Sequence, residues 1–336
     1  MIYLTNFFAR KIEAVSKQVE DSRLNTKDPI VTCCYFLNQK PLRLEDIKDN
    51  IWIFPMWLYP IVAFLLLTFS KADVHIFEDE ASAWRRISLN FRKRKVFVSL
   101  FKDIDLSLVN HLNSLNDVRS VIVEDKKSLE FVKKHLSDKR IPVILKYPSS
   151  LWVPRGSNTP REINLLFASW NGGDKNTLVE RGIYDLLNLV KDTAATCTII
   201  LRDHDTKDLL KLIDHLGITK KVRVVFPENI TQLRGEFEKS QYVVIIPRSP
   251  IMKYVPNSII DGLSLGKPCI ISGDLRFAET VKTEKLGILF DYKNQNKFRF
   301  PSKNDYKEMS LKCLNWATLN IKHPYSKSLS EIYSNN

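Results

Sequence analysis

The chain has 336 residues and 44% hydrophobic content, enough for two α/β domains with cores of their own. Lys plus Arg number 51 against 38 Asp plus Glu, a formal net charge of +13, which suits nucleic acid, an anionic membrane face or a phosphorylated small molecule. No zinc-ligand spacing or recognition-helix signature favours nucleic acid. The scattered cysteines (Cys33, Cys34, Cys197, Cys269, Cys313) form neither a disulfide framework nor a metal clip, which points to a reducing cytosol.

Met1-Ile-Tyr-Leu4 is followed by Arg10 and Lys11 without a cleavable apolar run, so no signal peptide is expected. The first half then alternates β-branched runs with amphipathic segments. Strands are predicted at 2–4, 30–36, 51–54, 74–77, 96–100, 118–123 and 142–145, and helices at 8–19, 81–91 and 126–136. Residues 57–69, from Trp57 to Phe69, are strongly apolar yet shorter than the ~20 residues a bilayer span needs. They are expected to form a buried helix flanking a sheet, with one-sided contact to a membrane interface as the alternative. His75 and Glu78 do not read as a chelating pair, because strand alternation turns them to opposite faces.

Residues 147–160, with three prolines, read as an interdomain linker. The alternation then resumes. Strands are predicted at 163–168, 197–201, 222–226, 242–247, 269–271 and 287–290, and helices at 176–190, 207–216, 231–239 and 305–320. Such βα repetition predicts a mostly parallel, doubly wound sheet in each half, with ligands at the carboxyl ends of the strands.

One stretch, 253–272, organises this half. Pro256 presets φ for a helix start, and Asn257 or Ser258 is expected to cap it. Ile259, Ile260, Leu263 and Leu265 give an apolar face, Gly266 ends the helix, and Pro268 forbids its continuation. The free N–H groups at such a helix start suit a phosphate, and Asp261, one turn further in, suits the vicinal hydroxyls of a ribose.

With Pro256-Asn-Ser-Ile-Ile-Asp261, Gly266-Lys-Pro268, Ile270-Ile271 and Glu279 at matching spacings, the second half resembles the nucleotide-sugar domain of retaining GT-B glycosyltransferases (glycosyltransferase group 1, family 4-like). That group includes bacterial polysaccharide and lipopolysaccharide sugar transferases. The resemblance extends over roughly residues 160–320 and weakly over the first domain. Lys253 stands where the family has its first Glu, Asp261 replaces the second, Leu275-Arg276 replaces a Gly-Gly pair, and the glycine-rich loop of the amino domain is missing.

The resemblance implies an α/β GT-B fold, with two Rossmann-like doubly wound domains facing across a cleft. Residues 1–150 would form the acceptor-side domain and 161–304 the nucleotide-sugar domain. Residues 305–336 would form a helix and tail packing back toward the first domain. The implied activity is transfer of a sugar from a UDP or GDP sugar to an acceptor hydroxyl with retention, in bacterial-type polysaccharide, lipopolysaccharide or glycoconjugate synthesis. No cofactor is expected beyond the nucleotide sugar as co-substrate, and no metal. Fixed cations would instead meet the charge growing on the leaving diphosphate.

Arg181, at the place of a family Lys-Gly pair, Lys253 and Asp103 are the candidate catalytic residues. Lys175, Arg202, Asn257, Ser258, Asp261 and Glu279 are the candidate donor-binding residues. The implied partners are the donor, a glycan, lipid-linked or protein acceptor and an anionic membrane surface, with a cytoplasmic location on the inner face of the membrane. Lys253 and the missing glycines leave a second reading open, an inactive GT-B-fold partner or scaffold for an active transferase.

Overall fold

The computed structural model describes the chain except for residues 6–13, 24–26, 35–47, 56, 59–60, 63, 66–68, 79–94, 102–103, 116, 157–161, 169–174, 202–205, 249–253, 322–324 and 335–336. The chain divides into two compact units, Met1–Ser149 with Lys322–Asn336, and Ser150–Ile321.

In the first unit, strands β1 (Ile2–Thr5), β2 (Ile30–Cys34), β3 (Ile51–Pro55), β4 (Val74–Glu78), β5 (Val96–Leu100), β6 (Val118–Val123) and β7 (Val143–Leu145) form one sheet in the order β3-β2-β1-β4-β5-β6-β7. Every neighbouring pair is parallel. A parallel sheet is covered on both faces, which explains why β5 is buried along its whole length rather than alternating.

Helices α1 (Ala14–Ser22), α2 (Leu106–Asn113) and α3 (Lys126–His135) connect these strands. Asp105 caps α2 by accepting the Leu108 N–H at 2.8 Å, and Asp125 caps α3 by accepting the Ser128 N–H at 2.9 Å. The short helix α2 was not predicted, although Leu108, Val109 and Leu112 behind Asp105 carry its buried stripe. The predicted helix at 81–91 and the first part of that at 8–19 lie outside the described residues.

A helix at Tyr325–Ser334 belongs to this unit too. Its Leu329 and Tyr333 complete a core with Phe97 and Ile122. His75 on β4 is fully buried, with Nδ1 against the Tyr333 hydroxyl and Nε2 2.8 Å from the Ser99 hydroxyl. It is a core polar link between sheet and tail helix.

The buried helix expected over 57–69 is not what forms. Trp57, Ile61, Phe64, Leu65 and Phe69 are all exposed. The nearby core is completed without them, by Val19 of α1 packed with Tyr3, Ile30, Ile51, Phe77 and Phe101. Among the described residues, no helix is long and apolar enough to cross a membrane.

The second unit holds β8 (Asn164–Ala168), β9 (Thr196–Ile200), β10 (Val222–Val225), β11 (Tyr242–Ile245), β12 (Cys269–Ser272) and β13 (Gly287–Phe290), in the order β10-β9-β8-β11-β12-β13. All neighbours are again parallel. Its helices are α4 (Lys175–Glu180), α5 (Ile183–Asp192), α6 (Lys207–His215), α7 (Ile230–Lys239), α8 (Asn257–Ser264), α9 (Ala278–Glu284) and α10 (Lys303–Asn320).

The single helix predicted at 176–190 is broken into α4 and α5 at Arg181-Gly182. Gly182 takes a left-handed φ of +71°, and a Cβ there would lie 1.7 Å from the Ile246 carbonyl oxygen. The stretch 305–336 is divided at Ile321: α10 packs on α8 in the second unit, and the remainder joins the first.

Candidate functional site

The sheet of the second unit reverses its winding between β8 and β11, since β9 and β10 extend it one way from β8 and β11, β12 and β13 the other. Parallel strands that diverge in this way leave a crevice outside their carboxyl ends, where ligands of doubly wound sheets bind. Chain segments leaving β8, β11 and β12 surround that point: α4 with Arg181-Gly182, α8, and residues 273–277 leading into α9.

Helix α8 begins as expected from the sequence but is capped differently. Pro256, not Asn257 or Ser258, is the N-cap residue, with φ −64° and ψ 128°, and it makes no side-chain capping hydrogen bond. Asn257 and Ser258 therefore sit inside that turn, where N–H groups point along the axis toward the start of the helix. The helix ends as predicted. Gly266 has φ +68°, and the Lys267 N–H returns to the Gly262 carbonyl at 2.8 Å. Lys267 itself is buried at the amino end of β12, away from the crevice. Its Nζ donates to the Glu238 carbonyl at 3.1 Å, and burial lowers its pKa to about 8.

Asp261, in the second turn of α8, is 5% exposed. Its Oδ1 accepts the Leu151 N–H at 2.7 Å and the Ser150 hydroxyl at 3.1 Å. The linker is thereby fastened to the helix that the sequence assigns to the donor.

Around the β8–β11 crevice the chain is tied together by polar contacts. Leaving β11, Arg248 donates Nε and a terminal N–H to the two oxygens of Asp185, at 2.6 and 2.5 Å. Asp185 lies in the first turn of α5. The Arg248 backbone N–H reaches the Glu180 carbonyl at 2.9 Å, and its guanidinium lies 5.1 Å over the Tyr292 ring. Tyr292 donates in turn to the Ile246 carbonyl at 2.7 Å. Gly182 packs against that same Ile246 carbonyl. These contacts hold Arg181, between Glu180 and Gly182, in one fixed loop. Its guanidinium is half-buried, and burial lowers its pKa while the Glu180 charge opposes that.

Arg276 stacks on Tyr254 at 3.9 Å, joining the segment after β12 to the segment before α8. Glu279 is exposed in the first turn of α9. It is not a cap, since Phe277 holds that position. Lys175 is the first residue of α4. The structure thus brings Lys175, Arg181, Asn257, Ser258, Asp261 and Glu279 onto segments leaving three adjacent strands, while Asp103, Arg202 and Lys253 lie outside the described residues. Arg248 and Arg276 were not singled out from the sequence. A cation directly after a strand-ending Ile-Ile-Pro, or in place of a family glycine, was the available signal.

Among the described residues no three His, Cys, Asp or Glu side chains cluster to hold a metal ion. The chain does contain two Asp-x-Asp pairs, Asp103-Ile-Asp105 and Asp203-His-Asp205. Of these only Asp105 is described, and it caps α2.

The chain matches no protein family by sequence, and no curated protein is similar to it in sequence. Solved structures do share its architecture. HepE of Anabaena, in complex with UDP-glucose, has a TM-score of 0.71 at 14% identity, over 100% of both chains. Sucrose-phosphate synthase from Thermosynechococcus elongatus has a TM-score of 0.72 at 12% identity, over 99% of this chain and 98% of that one. The chain has the GT-B fold. A glycosyltransferase from Rickettsia africae shares this GT-B architecture, with a TM-score of 0.64 at 14% identity over 99% of this chain and 98% of that one.

Proposed function

We propose that this chain is a nucleotide-sugar-dependent glycosyltransferase whose donor site is the β8–β11 crevice of the second unit. The observation that carries this is the gathering of a half-buried arginine, the start of helix α8 and a buried carboxylate on segments leaving adjacent strands of a GT-B fold. Similarity to HepE, whose structure holds UDP-glucose, makes a UDP sugar the donor class to test first.

In this reading Arg181 and the first turn of α8, at Asn257 and Ser258, face the diphosphate. As the glycosidic bond breaks, negative charge grows on the leaving phosphate. A guanidinium fixed in a loop and a helix start need no reorganisation to meet it. Lys175, the first residue of α4, adds a cation after β8 and Arg276 one after β12, with Lys253 and Arg202 as further donor cations proposed from the sequence. Asp261 receives the ribose. Its buried carboxylate is held in place by two hydrogen bonds accepted from the linker. Glu279, exposed at the start of α9, lies toward the sugar. The departing phosphate takes the acceptor proton, which gives retention without a strong general base, and Asp103 belongs to the acceptor side. The reaction is metal-independent, acts on a lipid-linked or polysaccharide acceptor, and takes place on the cytoplasmic side of an anionic membrane.

The test is thermal unfolding with UDP, GDP, CMP and UDP-glucose, with and without EDTA, followed by assay of UDP-glucose turnover. Ligand binding to the folded state raises its transition by mass action. A shift with one nucleotide that is weakened in Asp261→Asn, which keeps an oxygen acceptor for the linker, supports the donor site. A chain that shifts with no nucleotide is better read as an inactive GT-B partner, the alternative that Lys253 in the place of a family carboxylate favours.

A further inference from the structure

The feature that the transferase reading leaves unused is the apolar face of the first unit. Trp52 is exposed on the edge strand β3, followed by Trp57 at 73%, Ile61, Phe64, Leu65 and Phe69 at 76%. Ile61, Phe64, Leu65 and Phe69 are helical and recur at i, i+3, i+4 and i+8, the spacing of one helix face. On a water-soluble helix that stripe is the side turned to the core. Here it faces outward, and a concentration of large apolar side chains in one short segment marks a surface that binds something.

Charge indicates what that partner is. Between Asn50 and Ala72 the sequence contains a single charged residue, Lys71. Lys48, before the face, and Lys71, after it, are exposed. Lys95 lies beside its end, because its backbone N–H donates to Asp73 at 3.0 Å, just past Lys71. Trp and Phe suit the boundary between headgroups and acyl chains, and lysines at the margin suit anionic headgroups. A protein partner of opposite charge would match the lysines but leave this wide aromatic face without a stated counterpart.

We propose that the exposed apolar side chains of Trp52, Trp57, Ile61, Phe64, Leu65 and Phe69 dock the first unit onto an anionic lipid surface, with Lys48, Lys71 and Lys95 meeting the headgroups. This names the surface behind the membrane partner in the proposed function and holds whether or not the chain transfers sugar.

The experiment is co-sedimentation of the full chain with vesicles of equal parts phosphatidylcholine and phosphatidylglycerol, and with phosphatidylcholine vesicles, at low and high salt. The expected result is binding to the anionic vesicles that high salt weakens, and that falls about tenfold in Trp57→Ser/Phe69→Ser and less in Lys71→Glu. Lys71→Glu is a second variant at an exposed position, so the test survives if the double variant folds poorly. Nucleotide-induced thermal shifts, measured on the same samples, should stay unchanged, which separates failure here from failure of the donor site. The proposal is overturned if neither vesicle binds the chain, or if both variants bind like the parent. It is equally overturned if light scattering shows the face joining two copies of the chain with no vesicle binding.

Discussion

At the scale of single residues, buried polar groups make the sharpest predictions. Burial pulls the pKa of His75 from 6.5 down to about 3. The unfolded chain therefore binds a proton at this site below about pH 6.5 that the folded chain refuses until near pH 3. Stability is fully present above 6.5 and falls as pH drops through that window, by about 1.4 kcal/mol per unit. Urea unfolding at pH 7 and pH 5 should show this slope in the parent and lose most of it in His75→Gln. A parallel slope in both would assign the acid sensitivity to other groups. Arg248 offers a second case. Asp185 is 5% exposed and Arg248 half exposed, so Arg248→Ala strands a buried carboxylate at a cost of about 2 kcal/mol, less than for a fully buried pair. Arg248→Lys should recover little of it, because an ammonium does not reproduce the paired contact. The His75 contacts lay beyond sequence reading because Ser99 and Tyr333 are 24 and 258 residues away. Alternation along β4 spoke only against a pairing with Glu78.

At the scale of elements, the break between α4 and α5 sets the geometry of the candidate site. Periodicity ran straight through it, since Leu178 and Leu186 are both buried and continue one apolar pattern. What interrupts the helix is the approach of the β11 exit, which only a glycine in the left-handed region admits. Gly182→Ala would force its Cβ against the Ile246 carbonyl, at an expected cost of about 3 kcal/mol or more. Its thermal transition should fall by several degrees, and a variant that melts like the parent would refute this role. Helix α8 was more legible, because a proline at its start and Gly-Lys-Pro at its end are local signals. Its capping was not. Pro256 has no side-chain acceptor, and whether Asn257 falls at the cap or inside the first turn depends on where the preceding backbone leaves helical φ and ψ. The segment 57–69 shows the opposite failure. Its composition favours a buried helix, with a membrane interface as the alternative, and the exposure of Trp57, Ile61, Phe64, Leu65 and Phe69 is decided by the other side chains that fill the first unit's core.

At the scale of the whole chain, the two units are joined by a chain path that leaves the first and comes back to it. Leu329 and Tyr333 of the tail helix are buried in the first unit. Each such side chain contributes about 2 kcal/mol by burial. Deleting residues 322–336 should therefore lower the unfolding transition of the first unit and leave that of the second, 150–321, in place. Limited proteolysis during the melt would report which unit opens; equal loss in both would show that they unfold as one. Strand positions, the βα alternation and the parallel doubly wound architecture could be determined from sequence alone, because hydrophobic period, glycine, proline and capping residues act over a few neighbours. The stretch around α8 that resembles GT-B donor motifs could be singled out for the same reason, since it is contiguous in sequence. Only the tertiary structure decided that Asp261 fastens the linker, that Arg248 holds the Arg181 loop through Asp185, that the 305–336 stretch divides at Ile321 so that α10 stays with the second unit, and that Trp57, Ile61, Phe64, Leu65 and Phe69 stay exposed. Each of these depends on contacts between residues far apart in sequence, which no local pattern encodes, and on which neighbours have already filled the available space.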